Sequence, residues 1–368
     1  MNTKTLKTWA SIDLDAIAHN YNYTKSRTDA MVICVIKANA YGHGAVEVAK
    51  RLVKEGCDFF AVSSLEEALE LRHGGIKESI LVLGYILPCR ISEAVENDIS
   101  FACASASFAK ELTSCEFSGK AKIHIKLNTG MNRTGFCICH NSGYGDLEEA
   151  IGYLKGNNKV EIEGTFTHFA KAESDKAFTE KQYGYFKNAV DFIKNGGITP
   201  RMLHICNSAG TYNYPSMHFD AVRLGINLYG CDSGDKNFIP VMDFCTRIVD
   251  IHSIKEGDGV SYGLDFVADK ETKIAVIGAG YADGLFRCLS HGKGYVLIGD
   301  VKCPIIGRIC MDMAMIDISG VPDAKVGDAV TIWGKDLSCD EQAKNASTIS
   351  YELLCAVAPR VKRVYINE

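Results

Sequence analysis

The sequence predicts an α/β protein: a (β/α)8 barrel of the TIM type, followed by a mainly antiparallel β domain. Three observations carry the prediction. Eight short apolar, β-branched runs recur between residues 31 and 224, most of them continuously apolar rather than alternating. Parallel strands covered on both faces read this way. The segments between the runs carry helical spacing and helix-stop glycines. After Gly230 the runs shorten and Gly/Asp turns separate them, as antiparallel strands require.

In order, the barrel runs are 31–36 (MVICVI), 58–62, 79–84, 99–103, 122–127, 160–166, 202–206 and 221–224. Between the first two, residues 46–55 keep apolar side chains on one face and stop at Gly56. Ser64 with Glu67 forms a capping-box signature ahead of LEEALELRHGG. Residues 178–194 read as a longer helix ending at Gly196 and Gly197. Eight such units in ~220 residues approach the ~250 of a closed barrel, with an open doubly wound sheet as the alternative. The later strands are expected at 246–254, 273–277, 295–298, 313–318, 329–333 and 363–366. The alternating segment 8–14 (TWASIDL) suits pairing with them. The domain division is therefore 9–232 for the barrel and 233–368 for the β domain, with residues 1–8 pairing onto the latter.

Composition narrows the function. The 368 residues carry 40 Lys plus Arg against 45 Asp plus Glu, a net charge of −5, without the basic excess of a nucleic-acid binder. No apolar run reaches the ~20 residues that span a bilayer, and the N-terminus lacks an apolar signal core. Fifteen cysteines are an odd number in a chain long enough not to need disulfide staples. Reduced thiols in the cytoplasm are expected. Cys137, Cys139 and His140 suggest half a metal site, but no second pair stands at finger-like spacing, so no metal is expected. KIAVIGAGYADG tempts a dinucleotide reading, yet its spacing is GxGxxxG and the glycine-broken LFRCLSHGKG follows instead of a helix.

In a barrel, functional groups sit at the C-terminal ends of the strands. Lys37 follows the first run, Arg133 closes the loop after the fifth, and His168 follows the sixth. Asn207 and Ser208 follow the seventh; Gly225 and Ile226 follow the eighth, with Arg223 late in that strand. Barrel phosphate sites commonly come from these last two loops. A partly desolvated lysine has a lowered pKa and suits Schiff-base chemistry. Phosphate site and lysine together suggest pyridoxal phosphate. Each residue also has a plainer reading: Lys37 as a snorkelling surface lysine, His168 as a hydrogen-bonded structural histidine, Arg223 as the ion-pair partner of Asp220 or Glu67, and Asn207–Ser208 as a helix cap.

At VIKANAYGHG (35–44) the chain resembles the alanine racemase family of fold-type III pyridoxal phosphate enzymes. The resemblance continues through HIKLNTGMNRTGF (124–136), THFA (167–170), CNSAG (206–210), VRLGINLYG (222–230), VSYG (260–263), GYADG (280–284), GRICMDM (307–313) and YELLCAVAPRV (351–361). It implies racemisation of a small amino acid, L- and D-alanine for bacterial cell-wall synthesis, by two bases on opposite faces. Lys37 would carry the cofactor and serve one face. Tyr262, from the second subunit of a head-to-tail homodimer, would serve the other; its plainer reading is a hinge tyrosine beside Gly263. The resemblance places cationic Arg133 and His168 near the phenol to lower its pKa. Arg223 would face the pyridine nitrogen and, as a pure donor, leave it unprotonated. Tyr41, His168, Asn207, Ser208, Gly225 and Ile226 would complete the cofactor site. Arg133, Tyr281, Met311 and Asp312 would address the substrate, and Lys126 matches a lysine carbamylated in many relatives.

Two positions depart from the family pattern. Asn128 stands where Asp is common, and Pro359 where some relatives place a phosphate-reaching tyrosine. A serine racemase, as in the soluble domain of vancomycin-resistance membrane racemases, is the alternative function. A non-enzymatic pyridoxal phosphate carrier lacks a β domain, and a fold-type III decarboxylase should carry an acidic group where Arg223 stands. Cys206 and Cys310 would be bystanders near the pocket.

Overall fold

The computed structural model describes residues 3–139, 143–232 and 234–367. The chain forms two compact units: Tyr21–Ala40 with Ala45–Leu228, and Met1–Asn20 with Tyr41–Gly44 and Tyr229–Glu368. His140 of the suspected metal half-site lies outside the described residues.

After β1 (Thr8–Asp13), the first-named unit builds its barrel from β2 (Met31–Val35), β3 (Phe59–Val62), β4 (Ser79–Val82), β5 (Ile99–Cys103) and β6 (Ala121–Asn128). The short β7 (Phe136–Cys137) precedes β8 (Val160–Phe166), β9 (Met202–His204) and β10 (Ala221–Leu224). Every pairing in this sheet is parallel, and β5 joins β6 to close the ring. The open doubly wound alternative is excluded. β3, β5 and β10 are buried at every residue, which is why their sequences show no alternation. All eight expected runs are strands, trimmed by one or two residues at some ends.

Local chemistry sets the helices. Ser64 Oγ accepts from Glu67 N–H at the start of Leu65–His73, as the capping signature predicts. Asp175 caps Lys176–Asn195, and Gly196 follows its last turn.

In the other unit, β1 pairs with β11 (Met242–Ile254). The strands β12 (Gly259–Val260) and β13 (Phe266–Val267) form a separate two-stranded sheet. The main sheet adds β14 (Thr272–Ile277), β15 (Tyr295–Ile298), β16 (Val301–Ile306), β17 (Ala314–Asp317), β18 (Ala329–Trp333) and β19 (Lys362–Ile366). Its pairings are antiparallel except β1 with β19. Sequence patterning misses β16, whose Lys302 and Pro304 disguise it. The run after β14 continues as turns, and only the short 3-10 turn Arg287–Leu289 follows. Without a helix there, the dinucleotide reading fails. No helix among the described residues is long and apolar enough to cross a membrane. All fifteen cysteines are free thiols.

One arginine ties two strand starts of the barrel. Arg72 donates to the carbonyls of Ile76 and Glu78, just before β4, and of Asn97 and Asp98, just before β5. Arg72→Met keeps the apolar stem and leaves four acceptors unserved. It is expected to lower stability by about 2–4 kcal/mol in denaturant unfolding. A change below about 0.5 kcal/mol, as at an ordinary surface site, would show that water replaces these bonds.

Candidate active site

Lys37 stands two residues beyond β2 and is half-buried. The chain then turns left-handed: Ala38, Asn39, Ala40 and Tyr41 have φ of 51°, 54°, 52° and 51°. None is glycine, so each costs about 1–2 kcal/mol in this conformation. Side chains hold the turn. Ala38 N–H donates to Glu67 Oε1 at 2.6 Å, and Asn39 Oδ1 accepts from Ala45 N–H at 2.8 Å. Glu67 Oε2 takes Ser63 N–H. The reciprocal arm of the expected capping box thus goes to the Lys37 loop and to Ser63.

Arg223, 2% exposed on β10, sits among acceptors but no carboxylate. Its Nη1 donates to His204 Nδ1 (2.9 Å) and His204 O; its Nη2 donates to the carbonyls of Thr167 and Ile205. Nη2 also lies 3.3 Å from His168 Nδ1. The Nε–H has no partner among the described residues. The ion pair with Asp220 or Glu67 is not formed: those carboxylates accept from Leu203 N–H and from the Ala38 and Ser63 N–H groups.

Positive charge accumulates around this arginine. Burial brings Arg223 down to about 10. Lys126, 5% exposed and set over the Phe166 ring, is lowered to about 7 by burial, then by Arg223, Arg133 and Lys37. Burial, then Arg223, Lys126, Arg133 and Lys37, push His168 well below the ordinary histidine range. This corrects the expected cationic role for His168: it is a neutral imidazole that accepts at Nδ1. Arg133 itself is exposed in the loop after β6.

Asn128 explains why its departure is harmless to that loop. Its Oδ1 accepts from Gly130 and Asn132 N–H, as an aspartate would, and its Nδ2 also donates to Asn132 Oδ1. Across the barrel mouth, Asn207 caps Ser208–Asn213 by accepting from Gly210 N–H. Ser208 Oγ accepts from Gly225 N–H at 3.0 Å, and Ile226 is buried beside it in sequence. The structure thus brings the last two barrel loops together. Cys206 is buried, and burial raises its thiol to about 12.

The other expected residues belong to the second unit. Tyr41 stacks against Tyr229 and Tyr351. Tyr262 opens a 3-10 turn after Ser261 (φ 66°) and is 71% exposed. Ser261 Oγ donates to Arg308 O at 2.6 Å, which anchors that turn to the loop of Met311. Two further loops zip together: Tyr281 N–H donates to Cys310 O, and Ala282 N–H to Met311 O. Gly280 has no room for a Cβ against those two carbonyls. Asp312 accepts from Arg360, which also binds Asp283. Pro359 is exposed next to that arginine and offers no hydroxyl. No group of three or more metal-binding side chains occurs among the described residues.

Sequence reasoning overlooks His124, Glu163 and His204. His124 and His204 are fully buried and link Arg223 to Glu163. The available signal is a histidine inside each of two apolar barrel runs, KIHIK and MLHIC.

Comparison with known proteins supplies the relationship. Residues 12–233 match the family described as alanine racemase, N-terminal domain, and residues 241–365 the alanine racemase C-terminal domain. The chain is 40% identical to an alanine racemase of Methanococcus maripaludis and 37% to that of Clostridium tetani. The first alignment covers 98% of each chain; the second covers 98% of this one and 95% of that one. Among solved structures, the alanine racemase of Clostridium difficile superposes with a TM-score of 0.92 at 36% identity, over 98% of this chain and 96% of that one. The Bacillus anthracis alanine racemase with bound L-Ala-P gives 0.91 at 34%, over 98% and 95%.

Lys126 makes a pH test. Its folded pKa of about 7 lies below the ordinary ~10.4 of an unfolded lysine. Between those values the unfolded chain binds a proton that the folded chain lacks, so this group makes stability rise with pH. Below about 7 the amine is charged in both states and the burial penalty is complete. In CO2-free buffer, the gain in unfolding free energy between about pH 7 and 9 should be smaller in Lys126→Met than in the unsubstituted chain. Parallel pH profiles would contradict the depressed pKa.

Proposed function

The chain belongs to the alanine racemase family, and on that premise we propose that it interconverts L- and D-alanine with pyridoxal phosphate held in the barrel. The observation that carries this reading is Arg223: a buried cation with its Nε–H unpartnered among the described residues and no carboxylate in contact. An unprotonated pyridine nitrogen is the acceptor it fits. Ser208 fits a phosphate oxygen, because its Oγ accepts from Gly225 N–H and keeps its own proton to donate. Lys37, Lys126, Arg133 and Arg223 repel one another, which an anionic cofactor and substrate carboxylate would relieve.

When bound, the cofactor withdraws electrons from the substrate's α-carbon and makes its proton removable. Arg223 only donates, so it leaves the ring nitrogen unprotonated and moderates that withdrawal. Lys37 anchors the cofactor and moves the α-proton on one face. Tyr262 of the partner subunit moves it on the other, in a homodimer that shares its sites; the 71% exposure of Tyr262 suits a side chain offered outward. A tyrosine's ordinary pKa is about 10. Arg133 lowers it by charge, and neutral His168 assists by donating from Nε2, a hydrogen bond rather than a charge. Tyr41, Asn207, Gly225 and Ile226 complete the cofactor site. Arg133, Tyr281, the Met311 backbone and Asp312 receive the substrate.

Lys126 is suited to carbamylation. At a pKa of about 7 its amine has a lone pair for CO2: an N–C bond forms, a proton leaves, and a cation becomes an anion. Repulsion of Arg133 then becomes attraction. The relatives named above are alanine racemases, which disfavours serine as substrate. The second unit, with its exposed Tyr262, separates this chain from a non-enzymatic carrier. We place the protein in the cytoplasm, where its fifteen thiols stay reduced.

Borohydride reduction with pyridoxal phosphate, followed by peptide mapping, should label Lys37; a label elsewhere would sink the assignment. The value of kcat/KM should be higher for L-alanine than for L-serine. Tyr262→Phe should slow α-proton exchange from one enantiomer by about 10² or more and spare the other. Equal losses from both would refute two opposed bases.

A further inference from the structure

A file of polar side chains leads away from Arg223 through the barrel. Its Nη1 lies 2.9 Å from His204 Nδ1, His204 Nε2 lies 2.9 Å from His124 Nδ1, and His124 Nε2 lies 2.9 Å from Glu163 Oε2. Ser100 Oγ donates to the same carboxylate oxygen at 2.5 Å. Both imidazoles are fully buried, and the Glu163 side chain is 16% exposed.

Chemistry fixes the direction of this file. Arginine only donates, so His204 Nδ1 accepts and its proton sits on Nε2. That proton faces His124 Nδ1, which must accept. The His124 proton therefore sits on Nε2 and goes to Glu163, a carboxylate that only accepts. A cationic His204 would set one N–H against the arginine's, and a cationic His124 would set another against that of His204. Burial, then the charge of Arg223, hold His204 well below the ordinary histidine range, in keeping with this order. Burial raises Glu163, but hydrogen bonds from His124 and Ser100 outweigh it and leave that carboxylate lowered.

The backbone makes room for the file. The β6–β8 register shifts between Ile123↔Ile162 and His124↔Gly164. Glu163 is thus the extra residue of a bulge, a device that re-aims a side chain. A Cβ on Gly164 would collide with His124 Nδ1, so glycine leaves space for the ring.

We propose that Glu163, acting through His124 and His204, is a positioning residue for racemisation: it keeps His204 an acceptor toward Arg223, and so keeps the Arg223 Nε–H aimed at the cofactor ring. What the Nε–H faces rests on the pyridoxal phosphate reading above; the proton order does not. Without the terminal acceptor, His124 gains a proton on Nδ1, His204 is driven to its other tautomer, and its new Nδ1–H displaces the guanidinium. A shift near 1 Å at such a distance from the chemistry costs on the order of 10² in rate.

Nitrogen-15 NMR of histidine-labelled holoenzyme tests the order directly. His124 and His204 should both carry their proton on Nε2 alone at neutral pH; a proton on Nδ1 of either would overturn the proposal. Kinetics test its consequence. Glu163→Leu and Gly164→Ala break the file at different atoms, and each should lower kcat by about tenfold to hundredfold, with KM and Lys37 labelling little changed. Glu163→Gln still offers an oxygen to His124 and should keep its tautomer and most of kcat. Undiminished kcat in Glu163→Leu, or equal losses in Glu163→Leu and Glu163→Gln, would refute the role. If the unsubstituted chain fails to bind pyridoxal phosphate, the cofactor reading falls, while the tautomers still decide the proton order.

Discussion

Arg223 is a charge buried without a counterion. Moving an arginine out of water is expensive, and a carboxylate is the usual remedy. Here three carbonyls and an imidazole take its Nη donors, and dipoles compensate the charge less completely than an anion would. The remaining field acts on its neighbours. It helps push His168 into the neutral form and Lys126 toward about 7. It also decides what can enter: a group that accepts a hydrogen bond, accompanied by negative charge. Phosphate, carboxylate and an unprotonated pyridine nitrogen answer both needs.

The scaffold divides rigidity from strain accordingly. Arg223, His124, Glu163 and His204 lie on barrel strands, where packing fixes rotamers. Lys37 opens four left-handed residues, and a glutamate from the neighbouring helix Leu65–His73 holds their first N–H. Strain of this kind gathers where function over-determines the backbone. In the second unit, Tyr262, Tyr281 and Met311 ride on loops fastened by main-chain carbonyls, so their positions depend little on which side chains surround them.

Much of this was legible in the sequence. Eight apolar runs gave eight barrel strands, because strands buried on both faces leave a compositional trace that short-range reasoning detects. Lys37, Ser208, Gly225 and Arg223 were found because barrel topology puts strand ends at the mouth. What escaped depends on partners remote in sequence. Ala38–Ala40 carry no glycine to announce positive φ; Glu67, 29 residues from Ala38, is among the contacts that hold them. Whether His168 is a cation depends on four charges drawn from other strands and loops. The file from Arg223 to Glu163 joins four strands and turns on a bulge that no periodicity reveals. Pro304 hid a strand, and Asn128 looked like a loss until its two N–H partners were seen.

The central claim is that Arg223 leaves the cofactor's ring nitrogen unprotonated. Nitrogen-15 NMR of the holoenzyme, reconstituted with pyridoxal phosphate labelled at that nitrogen, reads this directly. The account predicts the shift of an unprotonated, hydrogen-bonded pyridine nitrogen throughout the neutral pH range. The shift of a pyridinium nitrogen would contradict it.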